Sequence, residues 1–252
     1  MPVVAGAWLS WELHGDPDAM RRLTEPFLPE AIEEMTPAIA LMTYFDLLMI
    51  PIILLAVIHA SKFVAGEKSK NTLQLIVTRP IKRWKIIIGK YAAFVFLFIP
   101  LMILSVLLMT ISIEWIGVGW AEKEVFLGFA TITVLYTLVY ASIATLFSSL
   151  TKKSLSATLA SFIFLIIWLT LDFLIMYLPE NIAEMLEHVS LSHYANQILG
   201  YISDGVGAIF AVGGIPVDPS TQTFIYSSLI VLSLILIPIL LAITALGRIE
   251  LY

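Results

Sequence analysis

Residues 86–113 contain a single charged side chain, Lys90. A run this long crosses about 30 Å of hydrocarbon as a helix at about 1.5 Å per residue. Inside a bilayer every backbone N–H and C=O needs a partner within the chain, so an apolar run of this kind is helical. Four further stretches read the same way: 37–63, 125–150, 155–178 and 223–246. The expected fold is therefore all-α, a polytopic transmembrane helical bundle with five spans. Pro51, Pro100 and Pro238 fall inside spans and predict kinks. Of the whole chain 60% is hydrophobic and 13% charged, with a mean hydropathy of +0.96. A soluble domain is nearer half apolar and a quarter charged.

Charge sets the orientation of the spans. Lys62, Lys68, Lys70, Arg79, Lys82, Arg83, Lys85 and Lys90 are eight of the fourteen Lys and Arg. Lys152, Lys153 and Arg248 lie on the same side of the bundle, and only Arg21, Arg22 and Lys123 lie opposite. All nineteen acidic residues except Asp46, Asp172, Glu67 and Glu250 lie with that opposite set. Basic loops face the cytoplasm. The positive-inside reading places 64–85, 151–154 and the C-terminus in the cytoplasm. It places 1–36, 114–124 and 179–222 outside.

The chain divides on this reading into an external N-terminal segment, 1–36, and a transmembrane domain, 37–252. Five spans with a cytoplasmic C-terminus leave the N-terminus outside, and residues 1–13 lack the basic start of a signal peptide. Either residues 1–36 cross unaided or a further span lies upstream of Met1, and the second is expected. In the outer loop 179–222, residues 179–204 predict short amphipathic helices. Ile182, Met185, Leu186 and Val189 form one apolar stripe, and Tyr194, Ile198 and Tyr201 a second. Trp8, Trp11, Trp115 and Trp120 suit an outer aromatic belt and Trp84 the inner face.

Covalent chemistry finds little support. There is no cysteine, which excludes disulfides and thiolate metal sites. No GxxxxGK[ST] phosphate loop, HExxH or GxSxG is present. His14, His59, His188 and His193 are scattered, so no catalytic residue and no metal site is expected. Nucleic-acid binding is not expected either, since the basic residues flank membrane spans. Asp46 and Asp172 are the only acids inside spans. A carboxylate there faces the bundle interior or water. The pair either lines a translocation path or hydrogen-bonds to a neighbour such as Thr43, Tyr136 or Thr170.

The segment 67–90 carries more than a topology signal needs. Leu73, Leu75, Ile76 and Val77 lie among the charges, Arg79-Pro80 turns the chain, and Lys82-Arg83-Trp84-Lys85 leads into the next span. This predicts a short amphipathic cytoplasmic helix over 67–79, a turn, and a helix running into the membrane. An exposed apolar helix face suits docking into a partner's groove.

Glu67, Thr72-Leu73, Pro80, Arg83 and Gly89-Lys90 resemble the signature of type-2 ABC exporter permeases, including the NosY-like branch, with Asn71 where that signature has glycine. Ser192-His193-Tyr194 followed by Gly200 resembles the outer segment before the family's last span. The resemblance covers about 85% of the chain and implies six spans in the full family fold. It implies the plasma-membrane permease subunit of an exporter, working as a permease dimer in membrane lipid with cytoplasmic ABC ATPase subunits. On this resemblance Glu67, Thr72, Leu73, Leu75, Ile76, Val77, Arg79, Pro80 and Arg83 couple to the ATPase. ATP and Mg belong to the partner, and no cofactor to this chain. The rival readings are an integral membrane enzyme, which needs polar side chains gathered at one depth, and an ATPase-independent secondary transporter, which needs inverted repeats and broken helices.

Overall fold

The computed structural model describes residues 37–70, 83–115, 119–175, 188–203 and 220–247, with isolated positions between 178 and 186. These residues form seven helices and no strand: α1 Pro37–Ala60, α2 Ala65–Ser69, α3 Arg83–Trp115, α4 Lys123–Leu150, α5 Ser154–Ile175, α6 Leu191–Ile202 and α7 Thr221–Gly247. Four of them, α3, α4, α5 and α7, are long and apolar enough to cross a membrane, against the five stretches read from the sequence. The remaining stretch is helical as α1, whose apolar part Met49–Ala60 is shorter.

The bundle is arranged around α4, which packs against α1, α3, α5, α6 and α7. Of its most apolar window 67% is buried, against 17–28% for the other three long helices. Yet α4 is the least hydropathic of the four. Lipid is as apolar as leucine, so membrane helices do not gain by hiding leucine from it. They associate through close backbone approach at small residues and through hydroxyl groups. The buried face of α4 has both, in Gly128, Ala130, Thr133, Thr137, Ala141, Ser142, Ala144, Thr145 and Ser148. The exposed faces of α3 and α7 carry Leu101, Leu104, Leu108, Leu229, Leu236 and Leu240.

The hydroxyls of α4 satisfy their protons at short range. Thr133 donates to Phe129 O at 2.7 Å, Thr137 to Thr133 O at 2.8 Å and Thr145 to Ala141 O at 2.8 Å. This back-bonding makes a threonine-rich face compatible with a dry interior. Ser142 does something further. Its Oγ lies 2.7 Å from Val139 O on its own helix and 3.2 Å from Leu234 O on α7. Leu234 is four residues before Pro238, and proline has no N–H to bond that carbonyl. Ser142 thus covers the carbonyl that the proline leaves open.

Aromatic side chains tie the other helices to this axis. Phe45 of α1 meets Phe129 and Tyr136 edge-on at 5.9 Å. Tyr91 of α3 donates to Leu138 O at 2.8 Å. Trp168 of α5 lies 6.5 Å from Tyr140. Between α1 and α3, Phe94 and Phe98 stack at 4.1 Å beside His59.

At the end of the bundle where α4 begins, α6 lies across α4 and α7. Ser190 starts it as N-cap, its Oγ accepting from His193 N at 3.3 Å. Leu191, Tyr194, Ala195, Ile198 and Leu199 are buried. Tyr201, expected on the same stripe, lies at the edge and stacks on Phe224 at 4.3 Å. Of the stripe expected from Ile182, Met185, Leu186 and Val189, Leu186 is half-buried and the other three are exposed, at 43%, 76% and 54%. Leu199 reaches the α4 backbone at Gly128, where an added Cβ would stand 2.6 Å from Leu199 Cδ1.

Substitutions at two positions test this packing. Gly128→Ala requires only that the flexible end of Leu199 turn aside, whereas Gly128→Ile drives a branched side chain into the α4–α6 contact and is expected to cost about 1–3 kcal/mol. Thermal unfolding of the purified protein in detergent distinguishes them, with equal Tm for the two variants counting against the close contact. Ser142→Ala uncovers Leu234 O and is expected to cost about 0.6–1.7 kcal/mol, the range for interhelical hydrogen bonds in membranes. The same unfolding measurement checks it.

Candidate functional site

At the opposite end of the bundle, the last turn of α1 gives way to a junction that gathers four helices. Ser61 N still bonds Val57 O at 2.9 Å, then Lys62 N and Phe63 N shift to tighter bonds with His59 O and Ala60 O. The chain bends there and restarts as α2. A new helix start leaves its first N–H groups without intrahelical partners. Here the cap comes from far along the chain. Ser148 Oγ, in the last turn of α4, accepts from Val64 N at 2.9 Å and Ala65 N at 3.0 Å. Val64, Ala65 and Ser148 are all fully buried.

Lys68 completes the attachment from the other direction. The last carbonyls of a helix carry partial negative charge and attract cations. Lys68 Nζ donates to Ser149 O and to Thr151 O, the latter at 3.2 Å, at the C-terminal end of α4. Burial holds the Lys68 ammonium below the usual lysine range, and the neighbouring charge of Lys152 pushes it the same way. α2 and α4 therefore cap each other: α4 supplies an acceptor to the start of α2, and α2 supplies a donor to the end of α4.

α3 holds the junction from a third side. Lys90 Nζ forms an ion pair with Glu67 and donates to Phe63 O. Both side chains are partly shielded, at 28% and 22% exposure. Ser61 Oγ and Thr158 Oγ1 of α5 share a hydrogen bond at 2.8 Å. Around this joint lie the exposed ammonium groups of Lys62, Lys70, Lys85, Lys152 and Lys153. The result is a positively charged platform fastened to α4 by hydrogen bonds and to α3 by an ion pair.

The residues singled out from the sequence distribute as follows. Glu67 sits at the centre of the joint. Arg83 is the first residue of α3. Thr72, Leu73, Leu75, Ile76, Val77, Arg79 and Pro80 lie outside the described residues, and with them most of the helix expected over 67–79. The helical piece that is described, α2, begins before it, at Ala65. Asp46 belongs to α1 and Asp172 to the last turn of α5. Thr170, one of the partners suggested for these acids, donates its hydroxyl to Ile166 O at 2.7 Å. Among the described residues no three His, Asp or Glu gather as a metal site, and His188 and His193 meet edge-on at 5.7 Å between ring centres.

Sequence reasoning missed Ser148, Ser149, Thr151 and Lys68 as functional residues. No local pattern marks a serine as the cap of a helix start more than eighty positions away. Lys152, read as a topology anchor, also bears on Lys68. Removing the reciprocal cap gives a direct test. Ser148→Ala leaves two buried donors without their acceptor, at about 1–3 kcal/mol for such a group. Amide exchange at Val64 and Ala65 is expected to accelerate while Leu138–Ala144 keeps its protection, and Ser148→Thr is expected to restore the slow rate. Unchanged exchange in Ser148→Ala would mean that Ser148 does not cap α2.

The sequence matches the model of a family described as ABC-2 family transporter protein over residues 24–251, a range that takes in all seven helices. A comparison with curated proteins finds no match.

Proposed function

Because this chain belongs to the ABC-2 family of transporter proteins, we propose that it couples ATP hydrolysis on a separate cytoplasmic ABC ATPase subunit to substrate export across the plasma membrane. It is a multi-pass membrane protein, and members of the family are the membrane components of ABC transporters, not themselves catalytic, which generally pair with an ATPase subunit. Within the family the motif over 67–90 favours the NosY-like branch. The working unit is a permease dimer with two ATPase subunits, which bring the ATP and Mg that this chain does not hold. In this reading α1, α3, α4, α5 and α7 are five spans and the C-terminus is cytoplasmic, as the distribution of Lys and Arg favours.

The observation that carries the proposal is the reciprocal cap between α2 and α4. A coupling loop has to pass displacement into the bundle, and a flexible tether would absorb it. Glu67–Lys90, Lys68 and Ser148 fasten the base of the loop to α3 and α4 at once. Leu73, Leu75, Ile76 and Val77 are assigned as the apolar anchors of the loop and Arg79, Pro80 and Arg83 as the residues that set the return into α3, all acting from that fastened base. Movement of an engaged ATPase subunit would tilt α4, the helix that touches every other long helix. Asp46 and Asp172 are assigned to the translocation path opened by that tilt.

Leu73 and Val77 are four residues apart, on one face of a helix. Replacing both by Asp puts unpaired charge into the docking contact, which is strongly unfavourable. The expected outcome is normal membrane insertion with loss of the ATP-hydrolysing subunit from the affinity-purified complex. Lys152→Ala, which leaves both apolar anchors in place, is expected to retain it. Retention of full ATPase association by the double variant would return this loop to a mere topology signal. Purification of the unmodified chain without any ATP-hydrolysing subunit would count against the whole reading.

A further inference from the structure

We infer that the groove between α3 and α7 is a binding site for an anionic phospholipid, its acyl chain lying along the groove and its phosphate meeting Lys85 at the mouth. The inference rests on the membrane-spanning character of α3 and α7. It also uses the cytoplasmic assignment of the basic end proposed above, because anionic lipids concentrate in that leaflet.

The groove has a volume of about 830 Å³, within the range of sites that hold one ligand. Ile88, Ala92, Val95 and Ile99 line one wall, and Ile235 and Ile239 the other. The rim is open to the surroundings of the bundle, with Phe96 85% and Leu240 59% exposed. Its origin lies in the two helices. Pro100 is part of the lining and Pro238 adjoins Ile239, so both walls contain a residue that bends a helix.

The lining decides between a lipid and another helix. Helix pairs in membranes approach through stripes of small residues and are fixed by hydroxyl or amide groups. Of the residues lining this groove only Ala92 is small, and none is Ser, Thr, Asn or Gln. The buried face of α4 shows what this bundle uses where helices do meet. A flexible methylene chain needs neither device.

The charge at the mouth selects the headgroup. Lys85, Ile88, Ala92, Val95 and Ile99 follow the helical spacing of three and four residues, so Lys85 heads the stripe that forms the groove wall. Lys85 is exposed, and its Nζ lies 5.8 Å from the ring centre of Trp84, itself 42% exposed. A tryptophan and a lysine at the first turn of a spanning helix stand at headgroup level. Lys90, farther along α3, already serves Glu67 and Phe63 O and is not required here.

The test uses the purified full chain in nanodiscs of phosphatidylcholine, doped with phosphatidylglycerol or phosphatidylcholine bearing a photoactivatable acyl chain, and maps the labelled peptides by mass spectrometry. Labelling is expected to concentrate on 88–100 and 235–243. The anionic probe should be favoured about five-fold, the equivalent of about 1 kcal/mol for one basic residue near the surface. Lys85→Gln is expected to abolish that preference while leaving the phosphatidylcholine labelling in place. Ala92→Trp, which fills the groove, is expected to reduce labelling by both probes. The chain has no cysteine, so Ala92→Cys tests the other occupant cleanly. A disulfide between two copies at Ala92→Cys would make the groove a subunit interface and overturn the inference. Even labelling around the bundle, or equal labelling by the two probes, would overturn it as well. None of these readouts involves the ATPase subunit, so the inference stands or falls apart from the coupling role of the loop.

Discussion

Hydrogen bonding in a solvent that offers none governs this structure at every scale. In water an unpaired carbonyl or amide finds a partner at the surface; in hydrocarbon it must find one inside the chain or raise the energy of the fold by several kcal/mol. That condition makes the long elements helical. It also explains the value of hydroxyl groups at the bundle axis, where a threonine can return its proton to its own helix and a serine can reach the carbonyl that a proline has left open. Burial inside the protein imposes the same demand at the junction of α1, α2 and α4. There the orphan amides of a helix start and the orphan carbonyls of a helix end lie side by side and complete each other through Ser148 and Lys68.

Membrane burial also reverses the usual association between hydrophobicity and centrality. In α3 and α7, isoleucine and leucine dominate and much of the surface is exposed. On the buried face of α4, alanine, glycine, serine and threonine outnumber the larger side chains, and most of the helix surface is covered. A search of the sequence for apolar runs finds both kinds of helix equally well. It ranks them in the wrong order if the most apolar run is taken as the core. The content of small and hydroxyl residues carries the information, and in this chain composition alone displays it: the run 125–150 is the one that mixes them throughout.

What the sequence reveals therefore depends on the range of the interaction. Helical stretches follow from composition over twenty residues, and the helices found lie within a few positions of those expected: the run 86–113 extends to Arg83–Trp115 and 223–246 to Thr221–Gly247. The helix around Tyr194 and Ile198 follows from periodicity over ten residues, although Tyr201 falls to its edge and the cap at Ser190 is seen only in the structure. The resemblance carried by Glu67, Pro80 and Gly89-Lys90 agrees with the family match. The junction itself is out of reach of local patterns. Ser148 and Lys68 look like an ordinary helix-end serine and one lysine among many, and only the packing of α2 against α4 turns them into a joint.

The position of Ser142 has a mechanical implication. One hydroxyl proton lies within reach of two carbonyls, Val139 O on its own helix and Leu234 O across the interface. When α7 leans away, the proton falls back on Val139; when α7 leans in, it is shared with Leu234, at the point where Pro238 has already removed the bond that would stiffen the helix. The donor keeps a partner in either position, so a swing of α7 about this point gives up only the cover on the Leu234 carbonyl. A serine facing a proline across a helix pair thus halves the number of polar groups that such a turn would leave loose.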